Sequence, residues 1–281
     1  MDPEVFREDA RRRWEAAAAG WEARREEFQA ALQPVSMWLV ERVAPQPGYT
    51  ILEVAAGPGD TGLLAAELVQ PGGKVILTDL AEAMVRAAQR RAEALGIRNV
   101  ETRRMDAEWL DLPTASVDGV LSRFGYMLVA DPGTALREAR RVLRPGGRAA
   151  LAAWTAPEEN PWLSAIGSTM VELGHADPPA PGEPGPFAFA EPGRIQALLE
   201  ETGFDDIVVR TLEFYFRFAS SDEHFEHQRA LSTRLDEQLA ALSPAEHTRL
   251  RDAIDAKLAP FTAPDGSLEV PARTWVAAAS A

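Results

Sequence analysis

The stretch Ile51-Leu-Glu-Val-Ala-Ala-Gly-Pro-Gly-Asp-Thr-Gly62 holds the densest concentration of chemistry in the chain. An apolar run ends in glycines around a proline and leads into a helix-forming segment. Glycine permits positive φ and lets a ligand approach the backbone. A strand, a tight turn and a helix N-terminus together form a cradle for a negatively charged group. Two spacings overlap here. Gly57-x-Gly59-x-x-Gly62 is the dinucleotide fingerprint, weak when it stands alone. Glu53-x-Ala55-x-Gly57-x-Gly59 suits a different nucleoside ligand.

Acids at later strand ends bear on the choice. Asp79 lies about twenty residues past the turn, where an acid accepts hydrogen bonds from ribose hydroxyls. Both ligand classes contain ribose, so Asp79 does not separate them. Glu53, four residues ahead of Gly57, would repel a pyrophosphate. Asp106, in Met105-Asp-Ala-Glu-Trp-Leu110, can accept the exocyclic amine of adenine. Glu53, Asp79 and Asp106 all fall at strand ends, along the edge where open α/β sheets bind ligands. The expectation is a rim of three carboxylates that selects a cationic sulfonium, S-adenosylmethionine, over an anionic dinucleotide.

The elements that position these residues follow from the pattern of apolar runs. Thr50–Val54, Lys74–Asp79, Val100–Met105, Val117–Ser122 and Arg148–Trp154 read as strands. Thr61–Val69, Ala81–Leu95 and Pro132–Leu143 read as helices between them. Alternation of this kind predicts a doubly wound α/β fold, a mostly parallel sheet with helices on both faces. Residues 206–218 and 267–279 read as two further strands, antiparallel if paired. Pro271 makes the last one kinked or an edge.

Around this core the composition changes. Residues 3–32 are rich in Ala, Glu and Arg, with Phe6, Trp14, Trp21 and Phe28 at roughly helical intervals. They predict one or two helices, packed on the core or forming a lid. Residues 177–193 are too rich in Pro and Gly for regular structure. Residues 221–258 are helical, with Pro244 dividing them in two. The expected organisation is an N-terminal helical lid at 1–34 and a cofactor-binding core at 35–155. A cap loop follows at 156–190, the rest of the core sheet at 191–220 and 263–281, and a helical substrate cap at 221–262.

With these motifs in hand, the sequence resembles the class I S-adenosylmethionine-dependent methyltransferases. It is most similar in flavour to the small-molecule group that includes the ubiquinone and menaquinone enzymes. ILEVAAGPGDTG resembles the first motif, VILTDLAEAMV the acidic end of strand two, and MDAEWLDLP the adenine-contacting segment. SVDGVLSRFGYMLVADPGTALREARRVLRPGGR resembles strand four through the turn before strand five. The resemblance covers residues 35–155 well and the rest loosely. It implies a Rossmann-like methyltransferase fold with a seven-stranded sheet and an antiparallel last strand. It also implies roles. Gly57 and Gly59 form the turn, with Thr61 near the cofactor carboxylate. Glu53 orients the loop or reaches the methionyl amine through water. Asp79 binds ribose, and Leu80 and Met84 wall the adenine. Asp106, Ala107 and Glu108 contact its edge. Ser122 presents a backbone carbonyl to the amine, and Arg123 follows it. One departure is Ala55, which stands where the pattern has its first glycine.

Methyl transfer from a sulfonium is an in-line displacement that needs alignment and exclusion of water. A base helps when the acceptor is a phenol, alcohol or activated carbon. Tyr126, just past strand four, and His175, before the Pro-rich loop, are the candidates. His224 and His227 stand at i, i+3, a metal-like spacing. With no third ligand evident, a solvated helix face is the expectation, and His247 is expected to be exposed. No metal is expected. The segment Ser122-Arg-Phe-Gly125 lacks the Asn/Asp-Pro-Pro-aromatic tetrad of enzymes acting on adenine amines or glutamine amides. It also lacks the strand-end aspartate of magnesium-dependent catechol-type enzymes. Trp14, Trp21, Trp162, Phe187, Phe189, Phe214, Phe216 and Phe218 fall in or beside the capping pieces. They suit a flat or lipophilic acceptor or serve to bury the inserts.

Composition closes off other classes. The chain has 281 residues, a formal charge of −14 and no cysteine. Disulfides, thiolate metal sites and a cysteine nucleophile are excluded. An acidic surface repels phosphate backbones, so nucleic acid is not the expected partner. The basic pairs Arg90-Arg91, Arg103-Arg104 and Arg140-Arg141 read as solvated charge. No apolar run reaches the ~20 residues of a membrane span, and residues 1–13 lack an apolar signal region. A cytoplasmic enzyme acting on a small molecule is expected, with a homodimer as an open alternative to a monomer. The competing readings are a nicotinamide-dependent oxidoreductase and a non-catalytic S-adenosylmethionine-binding module.

Overall fold

The computed structural model describes residues 3–180 and 182–281. Met1, Asp2 and Pro181, which fall in the expected lid and cap loop, lie outside the described residues. Two long helices come first, α1 (Pro3–Ala23) and α2 (Arg25–Val43). The core then alternates β1 (Thr50–Glu53), α3 (Asp60–Leu68), β2 (Lys74–Asp79), α4 (Glu82–Ala94), β3 (Val100–Arg104), β4 (Val117–Arg123), α5 (Pro132–Val142) and β5 (Leu143–Trp154). After it come α6 (Pro161–Glu172), α7 (Arg194–Glu201), β6 (Asp205–Phe218), α8 (Ser221–Leu231), α9 (Thr233–Ala240), α10 (Pro244–Leu258) and β7 (Leu268–Ser280).

The seven strands form one sheet in the order β3-β2-β1-β4-β5-β7-β6. The first five pair in parallel, and β7 runs antiparallel between β5 and β6. Ile51, Leu52, Val75, Leu77, Val120 and Leu121 are buried at the sheet centre, as parallel strands covered on both faces require. Each such side chain contributes roughly 1.5–3 kcal/mol. The chain order reverses between β1 and β4, so the carboxyl ends of these two strands flank the switch-point crevice.

Four expectations are corrected. The boundary at residue 34 falls inside α2, which continues through Pro34 to Val43. Its buried face (Phe28, Leu32, Val35, Ser36, Leu39, Val40, Val43) packs as one stripe, so the helix belongs to the core along its whole length. The expected cap loop contains the helix α6, opened by Pro161 at its first turn. The helical insert breaks into three, because Ser232 caps α9 by accepting the Leu235 N–H, besides the capping box of Ser243 and Glu246 on α10. Finally, β7 is interior and β6 is the edge. Pro271 pairs with Tyr215 of β6, while β5 reaches only to Thr274. The proline therefore sits past the end of β5, where its missing N–H interrupts no ladder on that side.

No helix among the described residues is long and apolar enough to cross a membrane.

Candidate functional site

The glycine turn joins β1 to α3. Ala55 has φ +52°, Gly57 +53° and Gly59 +84°. Ala55 thus holds a left-handed conformation that glycine adopts without strain, which explains the pattern's preference there. A Cβ added at Gly57 would meet nothing within 4 Å, so the turn is open on its ligand side. Gly59 caps α3, and a Cβ there would stand 2.8 Å from Leu77. At Gly62 an added Cβ would collide with Leu77 and stand 2.6 Å from Glu53 Oε2. The third glycine of the dinucleotide-like spacing is therefore required by helix–strand packing, whichever ligand the loop holds.

Glu53 does not lie on the rim. It is 2% exposed and accepts the Gly62 N–H at 2.7 Å. Burial pushes its carboxyl up to about 8, against the opposing effects of Arg123 and the Gly62 N–H. At neutral pH it is mostly protonated, an internal strut that braces the start of α3. The expected rim of three carboxylates is corrected to two.

Asp79 ends β2 half-buried, and burial raises its carboxyl to about 6. Oδ2 accepts the Gly57 N–H at 2.9 Å, and Oδ1 accepts the Ala81 N–H at 3.0 Å. Leu80 follows it. Met84, on α4, is buried in a small cluster with Ala18 and Ala81, against Trp14 and Trp21 of α1. Past β3, Asp106 Oδ1 accepts the Glu108 N–H at 2.9 Å, and Ala107 between them packs partly buried on the core. Glu108 is nearly buried, accepts the Ala130 N–H at 3.1 Å, and pairs with Arg7 of α1. Arg7 Nε lies 3.9 Å from Asp106 as well. Glu138 and Arg141 of α5 hold this segment through the Leu110 N–H, Leu110 O and Leu112 O. The Arg140-Arg141 pair is thus not wholly solvated charge, since Arg141 is a loop anchor.

At the end of β4, Ser122 is fully buried with its hydroxyl unpartnered. Arg123 is nearly buried and points back under the turn. It donates to Ser36 Oγ at 2.7 Å and to Gln29 Oε1 at 3.3 Å, and stands 3.7 Å from Asp60. Burial lowers its pKa, opposed by Asp60 and Glu53. Thr61 Oγ1 lies 3.0 Å from Ser36 Oγ, and Arg25 of α2 lies 3.4 Å from Asp60. Two guanidiniums, one carboxylate and two hydroxyls thus collect beside the start of α3. Ser36, Gln29, Arg25 and Arg7 were missed in the sequence. They stand on α1 and α2, which precede the motif and lie outside it, and only the aromatic spacing hinted that these helices cover it.

Beyond Arg123 the chain turns at Phe124, φ +64°, a non-glycine residue in a strained conformation of the kind found at functional sites. Phe124 stacks on Trp154 at 4.0 Å. From there an aromatic cluster extends through Trp162, Phe28, Phe214, Phe216 and Phe218. It sits over the carboxyl ends of β4, β5 and β6. Tyr126 is buried with its hydroxyl unpartnered, and burial pushes its pKa up, so it remains a protonated phenol. It can donate a hydrogen bond but is unsuited to act as a base. His175, after α6, is half-buried. No described contact joins it to the strand-edge constellation.

His224 and His227 are not solvated. Both are fully buried; His224 is edge-on to Phe218, and His227 is tilted against Phe218 and edge-on to Phe28. The i, i+3 face of α8 points into the cluster, and Gly20 lets α1 press close on the Ala230 backbone. His247 is half-buried, edge-on to Phe225. Among the described residues no group of three His, Asp or Glu side chains could hold a metal. Surface hollows around Trp275 and around Ser280 include no residue of this site.

Residues 51–147 match a family described as a methyltransferase domain. This chain belongs to the class I S-adenosylmethionine-dependent methyltransferases. S-adenosylmethionine is the cofactor of that family. The chain is 33% identical to the nocamycin O-methyltransferase of Saccharothrix syringae over 187 residues, 62% of this chain and 66% of that protein. It is 37% identical over 112 residues to a ubiquinone/menaquinone biosynthesis C-methyltransferase of Ralstonia pickettii, 40% of this chain and 46% of that protein. The match thus spans about half the length of such curated relatives. The fold is shared more widely. A putative methyltransferase of Bacillus halodurans aligns with TM-score 0.56 and 20% identity over 87% of this chain and 97% of that one. A putative methyltransferase of Haloferax volcanii, solved with its Trm112 activator, aligns with TM-score 0.58 and 16% identity over 97% of each.

The residues present suit such a cofactor. The turn at Gly57 is open, Asp79 retains unused lone pairs, and the polar group around Arg123 offers both charge signs for an amino-acid moiety.

Proposed function

We propose that the chain transfers a methyl group from S-adenosylmethionine to an O, N or C atom of a small organic acceptor, without a metal, by in-line displacement. The observation that carries the reading is the open Gly57 turn tied to Asp79 at the switch point of the sheet. Gly57 and Gly59 admit the ligand to the backbone. Asp79 accepts from the ribose hydroxyls, and Leu80 and Met84 wall the adenine. Asp106, Ala107 and Glu108 line its edge under the lid helix α1. Thr61 and Arg123 face the methionyl carboxylate, and the Ser122 carbonyl faces its amine. Ala55 and the protonated Glu53 shape the turn from behind. The bound cofactor supplies an electrophilic methyl on a good leaving group. The chain's own part is alignment, for which orientation can supply roughly 7–11 kcal/mol, and exclusion of water by α1 and the insert 221–262. Tyr126 contacts and orients the acceptor beneath the aromatic cluster.

The names of the relatives differ in the atom methylated, O in one and C in another, so the atom is part of the test. Calorimetric titration with S-adenosylmethionine, S-adenosylhomocysteine and NADH is expected to give binding of the first two alone. A mass-spectrometric acceptor screen then reads a gain of one methylene unit. Preference for NADH would replace this reading with an oxidoreductase. Cofactor binding with no methylated product across the screen would favour a binding module.

A further inference from the structure

The aromatic cluster holds polar atoms with nothing to bind. His227 is fully buried, yet neither of its ring nitrogens has a hydrogen-bond partner. Trp162 Nε1 and His224 Nδ1 are equally buried and equally alone. Buried polar groups are nearly always paired, and each exception calls for an explanation. An unpaired imidazole inside a cage of rings is explained by a ligand that brings the missing partner.

The surroundings specify that ligand. His224 Nε2 lies 2.7 Å from the Trp162 carbonyl, so that nitrogen carries the proton and Nδ1 is left as a bare lone pair. Gln228 donates to the same carbonyl at 2.8 Å, which fixes α8 against α6. The His227 ring is held edge-on by Phe28 at 5.0 Å and at a tilt by Phe218 at 5.3 Å. The titratable groups around it are Glu27, whose Oε2 is 4.0 Å from Nε2, Arg24 and His224. Burial lowers the His227 pKa to about 4, so the imidazole is uncharged at neutral pH and one ring nitrogen keeps a lone pair that can accept a hydrogen bond.

Phe28 links this nitrogen to the cofactor side. On the same stretch of α2, Arg25 stands 3.4 Å from Asp60 at the head of α3, and Gln29 accepts from Arg123 at the end of β4. The ring touching His227 therefore projects from the helix segment that abuts the glycine turn. Phe28 is in turn edge-on to Trp162 at 5.8 Å, and Trp162 is edge-on to Trp154 above β5.

We infer that His227 is the proton acceptor for a hydroxyl-bearing aromatic acceptor that inserts among Phe28, Trp162 and Phe218. This rests on the methyltransferase reading above and names its acceptor class. In the step, the acceptor oxygen forms a bond to the methyl carbon as the methyl–sulfur bond breaks. The electron pair of that bond stays on sulfur, and the acceptor's hydroxyl proton passes to the His227 ring. The sulfonium charge disappears as the imidazolium charge appears, beside Glu27.

The test uses the full chain with 2-naphthol and its hydroxyl-free counterpart, naphthalene. Without cofactor, wild type is expected to bind 2-naphthol at least tenfold more tightly, and the 15N signals of the His227 ring are expected to shift on adding 2-naphthol. His227→Phe, which keeps the ring packing, is expected to lose the preference. His227→Gln keeps a hydrogen-bond acceptor but takes no proton. It is expected to retain the preference and to lose single-turnover formation of 2-methoxynaphthalene by a hundredfold or more. Equal affinity of wild type for the two probes overturns the inference, as do an unmoved His227 signal, a preference surviving in His227→Phe, or no ether from wild type. The wild-type NMR measurement decides the matter even if a variant fails to fold. Absence of S-adenosylmethionine binding by wild type would refute the proposed function instead, since both probe-binding measurements are made without cofactor.

Discussion

The Asp79 carboxylate reaches from the end of β2 to accept the Gly57 N–H at 2.9 Å. One side chain thus fixes the glycine turn of one strand to the start of the next helix, where its other oxygen holds Ala81. A residue assigned to ribose is also part of the scaffold. Simple deletion confounds these roles, because two buried N–H groups lose their acceptor. Asp79→Asn keeps one carbonyl oxygen and removes the charge. It is expected to weaken S-adenosylhomocysteine binding about tenfold, equivalent to about 1.4 kcal/mol, while the melting temperature moves by only a few degrees. Calorimetry paired with thermal denaturation reads both, and unchanged affinity would place the ribose elsewhere.

Glu53 makes stability depend on pH. Its folded pKa, about 8, stands above the ordinary 4.5. The folded state therefore binds the proton more tightly than the unfolded chain. Its stabilising effect is full below about pH 4.5 and is lost as pH rises through about 8. Glu53→Gln keeps a carbonyl for the Gly62 N–H and cannot ionise. Between pH 6.5 and 8 wild type is expected to lose roughly 1–2 kcal/mol relative to the variant. Urea denaturation at several pH values measures it, and parallel curves would return Glu53 to the ordinary carboxylate range.

Arg7 clasps α1 onto the 105–110 segment through Glu108 and Asp106. Glu15 and Glu22 of the same helix bind the Ala83 N–H and Arg90 on α4. Arg7→Ala is expected to speed cofactor dissociation about fivefold, near 1 kcal/mol, without altering the chemical step. Stopped-flow displacement with excess S-adenosylhomocysteine gives the rate. An unchanged rate would mean that α1 does not close over the cleft.

Gly62→Ala tests why the third glycine is present. The new methyl would meet Leu77 and the Glu53 carboxyl, an overpacking that costs about 1–3 kcal/mol. Stability is expected to fall by that amount, while cofactor affinity measured below the melting transition falls less than threefold. A large loss of affinity with intact stability would assign Gly62 to the ligand instead.

The alternation of apolar runs and helices was legible because β1, β2 and β4 are buried on both faces and must be continuously apolar. The glycine turn was legible because positive φ and close approach leave few residue choices. Asp79 was legible from its distance to that turn. The helix α6 was hidden by the prolines and glycines that follow it, although Pro161 marks its start. Pro271 suggested a kinked or an edge strand; β7 is interior, and the proline is accommodated because β5 pairs with β7 only as far as Thr274.

What the sequence by itself determined is the backbone of the cradle: the strand order's ingredients, the turn and the acid after it, all set by local conformational preference and apolar period. What tertiary structure decided is charge and exposure. Glu53 is buried and favours its protonated form rather than being a rim carboxylate, Arg7 and Arg25 reach the site from the two helices that precede the motif, and His227 is buried among aromatic rings instead of on a solvated face. These properties depend on which surfaces α1, α2 and α8 cover, and solvation is a property of neighbours in space that no residue spacing records.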